Sequence, residues 1–369
     1  MTRDMWNRLG LVLGAVMLFT GGCTEVIRMD PMVFQATDGP DGLQVNTMDP
    51  EALFQEGKSA FRAQKYDESA HIFTLFLKHF PEDSRASNAR YNAGLSLERL
   101  EEWDAAKFHF LAYTGGAKDV RDQIDGHFRL VICFRGLRDW GGMKDRLDIL
   151  RKLALTPLDR AEVLALTGYA YEMQGHMALA ERSYLKALEL EREQEDPQLF
   201  KSNEHLAMAQ YQIGEIYRRL FDAIAFRLPV ERMQRDLHDK STLFLKAQSA
   251  YLRTIRRQQK SWAFAAGFRT GEIYEAFYQD FLKSEVPSEL DNEEVQIYFE
   301  ELRDQIRPLL ERAIRIYERN IKMGARSRQG DNPWIEKTRS HLERLKSLLA
   351  EEMERMEREK KEEDAQPKS

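Results

Sequence analysis

Apolar residues along this chain return in register every 37 positions. Gly57, Gly94, Val131 and Gly168 are each 37 residues apart, and apolar side chains surround each of them at helical spacing. A short polar break follows, as in Gln64-Lys65-Tyr66-Asp67 and Glu101-Glu102-Trp103-Asp104, and then a second run with helical periodicity. Trp103 and Trp140 repeat the 37-residue interval at the break itself. A helix, a tight turn and a second helix in each period predict stacked helix hairpins, each burying its apolar face on its neighbours.

The first hairpin supplies Leu53, Gly57, Ser69, Phe73 and Pro81; the second supplies Gly94, Leu97, Ala106, Phe110 and Tyr113. In the third, Val131 replaces the glycine, and Met143, Leu147 and Leu150 follow. The fourth carries Leu164, Gly168, Tyr171, Ala180, Tyr184 and Ala187. Small residues are expected where the first helix (A) and the second (B) cross, with aromatic rings filling the gaps. Two further units are stretched. Gly214-Glu215-Ile216-Tyr217 and Gly271-Glu272-Ile273-Tyr274 are the same tetrapeptide, each in a helix A that runs on. Helix B resumes near Ala247 and Tyr251, and again near Ala313 and Tyr317. The insertions at 219–246 and 276–312 leave room for extra helices lining a deeper site. Pro229, Pro287 and Pro308 predict loop entries or kinks. After Asn332-Pro333, Trp334 to about Met356 predicts an amphipathic helix capping the stack, with Ile335, Leu342, Leu345, Leu348 and Leu349 inward. The charged stretch from Glu351 reads as a fraying, solvated helix end.

The spacing in the fourth unit resembles the signature of tetratricopeptide (TPR) repeats. The resemblance implies an all-α fold, a right-handed TPR superhelix with a C-terminal capping helix. The residues Gly57 to Pro81 and Asn88-Ala89-Arg90-Tyr91-Asn92-Ala93-Gly94 resemble TPR proteins of the bacterial envelope. Relatives of that kind include the TPR lipoprotein of the barrel-assembly machinery and the periplasmic coordinator of the Tol–Pal system. From Ala247 to about Leu345, the two Gly-Glu-Ile-Tyr elements and Asn332-Pro333-Trp334-Ile335-Glu336 look more like large TPR proteins of the myxobacterial gliding and envelope machinery. What the resemblance implies is a scaffold in an envelope complex.

The amino terminus supports that compartment. Arg3 and Arg8 flank a short polar start before an 11-residue apolar run, Leu9 to Phe19, followed by Thr20-Gly21-Gly22-Cys23. A charged start, a short apolar core and small residues describe a secretory signal, too short to span a bilayer, which takes ~20 residues. Gly21, Gly22 and Cys23 resemble a bacterial lipobox, with Thr20 where that family usually has leucine. The resemblance implies cleavage before Cys23 and acylation of its thiol; Thr24 then implies the outer membrane, facing the periplasm, with the inner membrane open. The chain therefore divides into a signal peptide (1–22), a lipidated tether (23–50), regular units (51–203), extended units with the capping helix (204–350) and a charged tail (351–369). Pro31, Gly39, Pro40, Gly42 and Pro50 give the tether its linker character.

Composition narrows the function. Charged residues make up 31% and carry mixed signs, as long solvated helices require; the formal net charge is −6. Without residues 1–22, whose Arg3, Arg8 and Asp4 sum to +1, it would be −7. That argues against nucleic acid as a partner, since phosphate binding needs a concentrated basic face. No HExxH, paired CxxC, Walker loop or GxSxG element occurs, and the eight histidines are scattered. The expectation is no enzyme, no cofactor and no metal. Cys133, between Ile132 and Phe134, reads as a buried, inert thiol.

The candidate binding face comes from the fifth position of each helix A, which in TPR units points to the concave groove. Those positions are Phe54, Tyr91, Phe128, Ala165, Tyr211 and Phe268. Five aromatic residues in six suggest a ladder that grips an apolar helix, a peptide or sugar rings; alternatively the rings pack on neighbouring helices. Around them lie Glu51, Lys58, Asp125, Arg135, Glu162, Glu172, Arg218, Glu215, Glu272 and Glu275, acidic toward the second half. A basic or neutral ligand fits that balance, although solvated charge explains most of these positions. Glu215 and Glu272 share one place in two repeats and are assigned a common structural or groove role. The leading reading is a lipid-anchored periplasmic scaffold that recruits protein partners. The alternative is a peptidoglycan- or glycan-binding solenoid, and the third is a murein lyase with Glu215 or Glu272 as acid.

Overall fold

The computed structural model describes residues 33–39, 42–194 and 198–365. The signal peptide and Cys23 lie outside the described residues. Part of the expected tether is folded. Strands β1 (Val33–Gly39) and β2 (Gly42–Met48) pair antiparallel, in a register running from Val33 opposite Met48 to Gly39 opposite Gly42. The linker reading is corrected here: Gly39 and Gly42 close a hairpin instead of loosening a chain. Met48 packs on the first core cluster with Phe54, Phe73 and Phe76, so the hairpin runs directly into the stack.

The rest is helical. Helices A and B alternate as α1 (Pro50–Arg62), α2 (Tyr66–His79), α3 (Ala86–Arg99), α4 (Trp103–Gly116), α5 (Val120–Gly136), α6 (Trp140–Leu150), α7 (Pro157–Met173) and α8 (Met177–Arg192). A single turn, α9 (Gln198–Lys201), leads to α10 (Glu204–Asp222), α11 (Val230–Arg256), α12 (Lys260–Leu282) and α13 (Asn292–Arg326), and α14 (Pro333–Ala365) caps the end. Side chains fix several starts. Asp49, Asp119, Thr156, Asn203 and Asp291 accept hydrogen bonds from first-turn amides, with full capping boxes at Thr156–Asp159 and Asp291–Glu294.

The 37-residue period has a backbone counterpart. The A–B turns of the first four units place Gln64, Glu101, Arg138 and Gly175 at φ of 61°, 61°, 56° and 82°, each 37 residues after the last. A left-handed residue lets two helices reverse within three or four positions, and only the fourth turn uses glycine for it. The core repeats as well. A Cβ built on Gly57 would lie 2.9 Å from the Phe73 ring, on Gly94 2.8 Å from Phe110, and on Gly168 2.6 Å from Tyr184. Each helix A glycine therefore admits the ring that helix B offers 16 residues later. The third unit makes the exchange the other way: Val131 supplies volume and Leu147 replaces the ring, both fully buried in one cluster. Total core volume is kept, which a packed interior requires.

The same contact locates the insertions. Gly214 faces Tyr251 and Gly271 faces Tyr317, so glycine and ring are now 37 and 46 residues apart. No extra helices line a deeper site among the described residues. The added sequence lengthens the hairpin itself, giving an α11 of 27 residues and an α13 of 35 that carries Pro308 in its interior. Pro229 precedes α11 as its N-cap, and Pro287 lies in the loop before α13. The terminal helix also exceeds expectation. It reaches Ala365, and Glu352, assigned above to a solvated end, is buried and accepts a hydrogen bond from the Tyr278 hydroxyl.

Each helix B packs on the helix A before it and the helix A after it. Successive helices A also touch, as in α1 with α3, α7 with α10, α10 with α12 and α12 with α14; no two helices B share a comparable contact. A stack that closes on one side and splays on the other curves, so the A helices form its inner face. This is a TPR-type solenoid.

Candidate functional site

The inner face is not an aromatic ladder. Phe54, Tyr211 and Phe268 are 8%, 5% and 3% exposed. Phe54 meets Phe73 and Phe76 edge-on, each at 5.6 Å; Tyr211 packs on Tyr251 and Trp262; Phe268 stacks on Tyr317 at 5.9 Å and touches Trp334. These three rings fill the interior between helices and are unavailable to a ligand, which corrects the expectation for them. Ala165 is buried too. Of the six positions only Tyr91 and Phe128 stay half-buried, packed against the core.

What runs along the A helices is a polar interlock. In the fourth unit the Tyr184 hydroxyl donates to Glu172 at 2.8 Å, and Arg219 of the next unit donates to the same carboxylate at 2.8 Å. In the fifth, Tyr251 donates to Glu215 at 2.6 Å, and Arg269 of the sixth pairs with it at 3.2 Å. In the sixth, Tyr317 donates to Glu275 at 3.2 Å, and Arg344 and His341 of the capping helix hold that carboxylate from the other side. Three times, a buried glutamate joins a tyrosine of its own helix B to an arginine of the following unit. Burial is the main cause that raises the pKa values of the three phenols, and the adjacent carboxylate adds to it. They therefore remain protonated donors at any physiological pH. A buried carboxylate is tolerated only when such partners satisfy it.

The two identical tetrapeptides thus do different work. Glu215 is buried inside an interlock, whereas Glu272 is partly exposed and only steadies Arg269. The common role assigned to them is corrected, and so is solvated charge at Glu172, Glu215 and Glu275. The tyrosines of the presumed ladder have a related duty. Arg129 donates to the Tyr91 hydroxyl at 3.3 Å and to Glu98 at 3.1 Å; Arg269 donates to the Tyr211 hydroxyl, also at 3.3 Å. Both arginines directly follow the next unit's ring, in Phe128-Arg129 and Phe268-Arg269. That repeated dipeptide was the available sequence signal. Burial pushes Tyr91 and Tyr211 up to about 12, helped by Asp125 beside the first and Glu215 beside the second.

The remaining chemistry is sparse. Among the described residues no group of His, Cys, Asp and Glu is placed to hold a metal, and no helix is long and apolar enough to cross a membrane. Cys133 is fully buried, and burial pushes its thiol up to about 12, which leaves almost no nucleophilic thiolate. Lys240 is fully buried as well. Its ammonium donates at 2.7 Å to the carbonyls of Phe221 and Ile224, pairs with Asp280 at 2.8 Å and lies 3.9 Å above the Phe221 ring. It closes the C-terminal end of α10 onto α12 through α11.

Compared with known proteins, the chain matches no protein-family model and no curated protein. Solved structures do resemble it. A TPR repeats protein from Bacteroides fragilis is 13% identical, over 81% of this chain and 99% of that one, with a TM-score of 0.31. A tetratricopeptide repeat protein from Parabacteroides merdae is 13% identical over 78% and 98%, at 0.37. The apo form of the quorum sensor NprR from B. thuringiensis is 14% identical over 83% and 77%, at 0.40. These likenesses concern the fold.

Proposed function

We propose that this chain is a lipid-anchored periplasmic scaffold that recruits protein partners to a bacterial envelope complex. The observation that carries the reading is the inner face of A helices, held at fixed spacing from the fourth unit to the capping helix by the Tyr–Glu–Arg interlocks. A rigid curved face lowers the conformational cost of holding an extended or helical segment. Partly exposed side chains such as Tyr91, Phe128 and Lys58 supply contacts along it. With Phe54, Tyr211 and Phe268 buried, the ring ladder that favoured peptidoglycan or other glycans shrinks to two members. Glu215 is buried against Tyr251 and Arg269, and Glu272 is paired with Arg269, which disfavours either as the acid of a lyase. A protein segment is therefore the partner class we favour.

Two expected outcomes test the reading. Phe128→Ala removes a ring that is only half-buried, so recovery of the partner from detergent-solubilised envelopes should fall several-fold while thermal unfolding shifts by a few degrees at most. A loss of stability that accounts for the loss of capture would assign Phe128 to packing. Separately, Cys23→Ser should abolish incorporation of labelled palmitate and release the protein from the membrane fraction. Unchanged labelling in that variant would remove the anchor from the account.

A further inference from the structure

A second site lies away from the inner face. The ends of α8 and α11, the short helix α9 and the early turns of α10 enclose a cavity of about 220 Å³. Five cationic side chains converge on it from three elements: Arg192, Lys201, Arg253, Arg256 and Arg257. Among the described residues Glu191 is the one carboxylate in its wall, and it is committed to Arg257, whose Nη1 donates to it at 3.2 Å. Arg257 is itself buried, so this pair forms the fixed floor of the cavity. Arg192, Lys201, Arg253 and Arg256 have no ion-pair or hydrogen-bond partner among the described residues.

Basic residues in the last turn of a helix often do no more than complement its dipole, and Arg192, Arg253 and Arg256 occupy such turns. Two facts go beyond that reading. Lys201 comes from a different element and faces the same space. Gln210 lines the cavity at 4% exposure, and its side-chain amide has no hydrogen-bond partner among the described residues. The residue is buried but its amide reaches the cavity, so it is placed to offer a neutral N–H donor there. Four unpaired cations against a chain of net charge −6 are also a local reversal of sign. Convergent guanidinium groups match the oxygens of a phosphate group, and arginine binds them through paired N–H donors.

We propose that this cavity binds a multiply charged phosphate group, with Arg192, Lys201, Arg253 and Arg256 as its cations and Gln210 as a neutral donor. Such a group arrives either as a free phosphate compound or as the headgroup of a phosphorylated lipid. The full chain carrying Cys23→Ser, so that no acyl group takes it to a bilayer, serves for both arms. Inorganic pyrophosphate is titrated by calorimetry, with acetate as the singly charged control. In parallel, the chain is sedimented with vesicles of phosphatidylcholine containing phosphatidic acid.

Binding is expected for pyrophosphate or for the phosphatidic acid vesicles, and not for acetate. Arg253→Gln with Arg256→Gln should weaken it by about tenfold or more, since charge-assisted contacts to phosphate are among the stronger hydrogen bonds. Both side chains are exposed and unpaired, so thermal unfolding should not move. Gln210→Leu provides a second, charge-neutral test and should weaken binding while leaving nonspecific attraction intact. Arg312→Gln, beside the separate cavity between α11, α12 and α13, should leave binding unchanged. Pyrophosphate binding alone identifies a free ligand, and arginine-dependent vesicle binding alone identifies a lipid. Failure of both probes to bind, or affinity indifferent to the Arg253/Arg256 and Gln210 variants, would overturn the proposal.

Discussion

Glu215→Ala is expected to destabilise the fifth and sixth units by about 3 kcal/mol or more, the cost typical of removing one partner from a buried, hydrogen-bonded ion pair. The Tyr251 hydroxyl, fully buried, loses its acceptor at 2.6 Å, and Arg269 loses the carboxylate at 3.2 Å. The matched control is Glu272→Ala. It stands at the same place in the same tetrapeptide, but its carboxylate is partly exposed and pairs only with Arg269 within its own helix, so the cost should stay below about 1 kcal/mol. Because a solenoid's stability is carried by neighbouring units, the effect should be local. Hydrogen exchange should quicken in α10, α11 and α12 of the Glu215 variant, while amides of α1 to α4 keep their protection. Equal effects of the two substitutions would show that the interlock has no energetic weight.

Lys240→Met should cost about 3 kcal/mol, because each buried polar group left unpaired costs about 1–3 kcal/mol. Methionine preserves the stem that lies on Phe221 but removes the ammonium that satisfies the carbonyls of Phe221 and Ile224 and pairs with Asp280. The first amides to lose protection should be those at the end of α10 and the start of α11. Asp280→Asn alone should cost clearly less, since Asp280 reaches solvent and the two carbonyls would keep their donor. A Lys240→Met chain as stable as the parent would mean that water replaces the ammonium without penalty.

The regular half of the fold was legible in the sequence because its interactions are local. Gly57 and Phe73, Gly94 and Phe110, and Gly168 and Tyr184 are 16 residues apart in every case, so one period displays both partners. The turns at Gln64, Glu101 and Arg138 also kept the interval, although nothing in those residue types announces a positive φ. The strands at Val33–Gly39 and Gly42–Met48 were missed because Gly39, Pro40 and Gly42 read equally well as linker. Long helices replaced the expected extra ones in the fifth and sixth units. Helical periodicity runs through both insertions, but nothing local tells a longer helix from an added one.

The site was less legible for a geometric reason. The fifth position of helix A was assigned to the groove from the pattern of TPR units, yet at Phe54, Tyr211 and Phe268 the ring turns into the interface between helices. Which way a ring turns depends on the space its neighbours leave, and that space is set by residues far along the chain. The interlocks are equally remote: Tyr251 lies 36 residues from Glu215, and Arg344 lies 69 from Glu275. Identical tetrapeptides could not reveal that Glu215 is buried and Glu272 is not, because the difference comes from where Arg269 and the capping helix arrive.

The most direct test of the central claim is photocrosslinking in intact cells. A benzophenone side chain is placed at Lys58 or Phe128 on the A helices, and at Phe108 or Leu245 on the B helices, where exposure is 68% and 60%. A scaffold that holds its partner along the inner face should give adducts of one defined mass from Lys58 and Phe128 and none from Phe108 or Leu245. Adducts confined to Phe108 and Leu245 would place recognition on the outer surface and contradict the account.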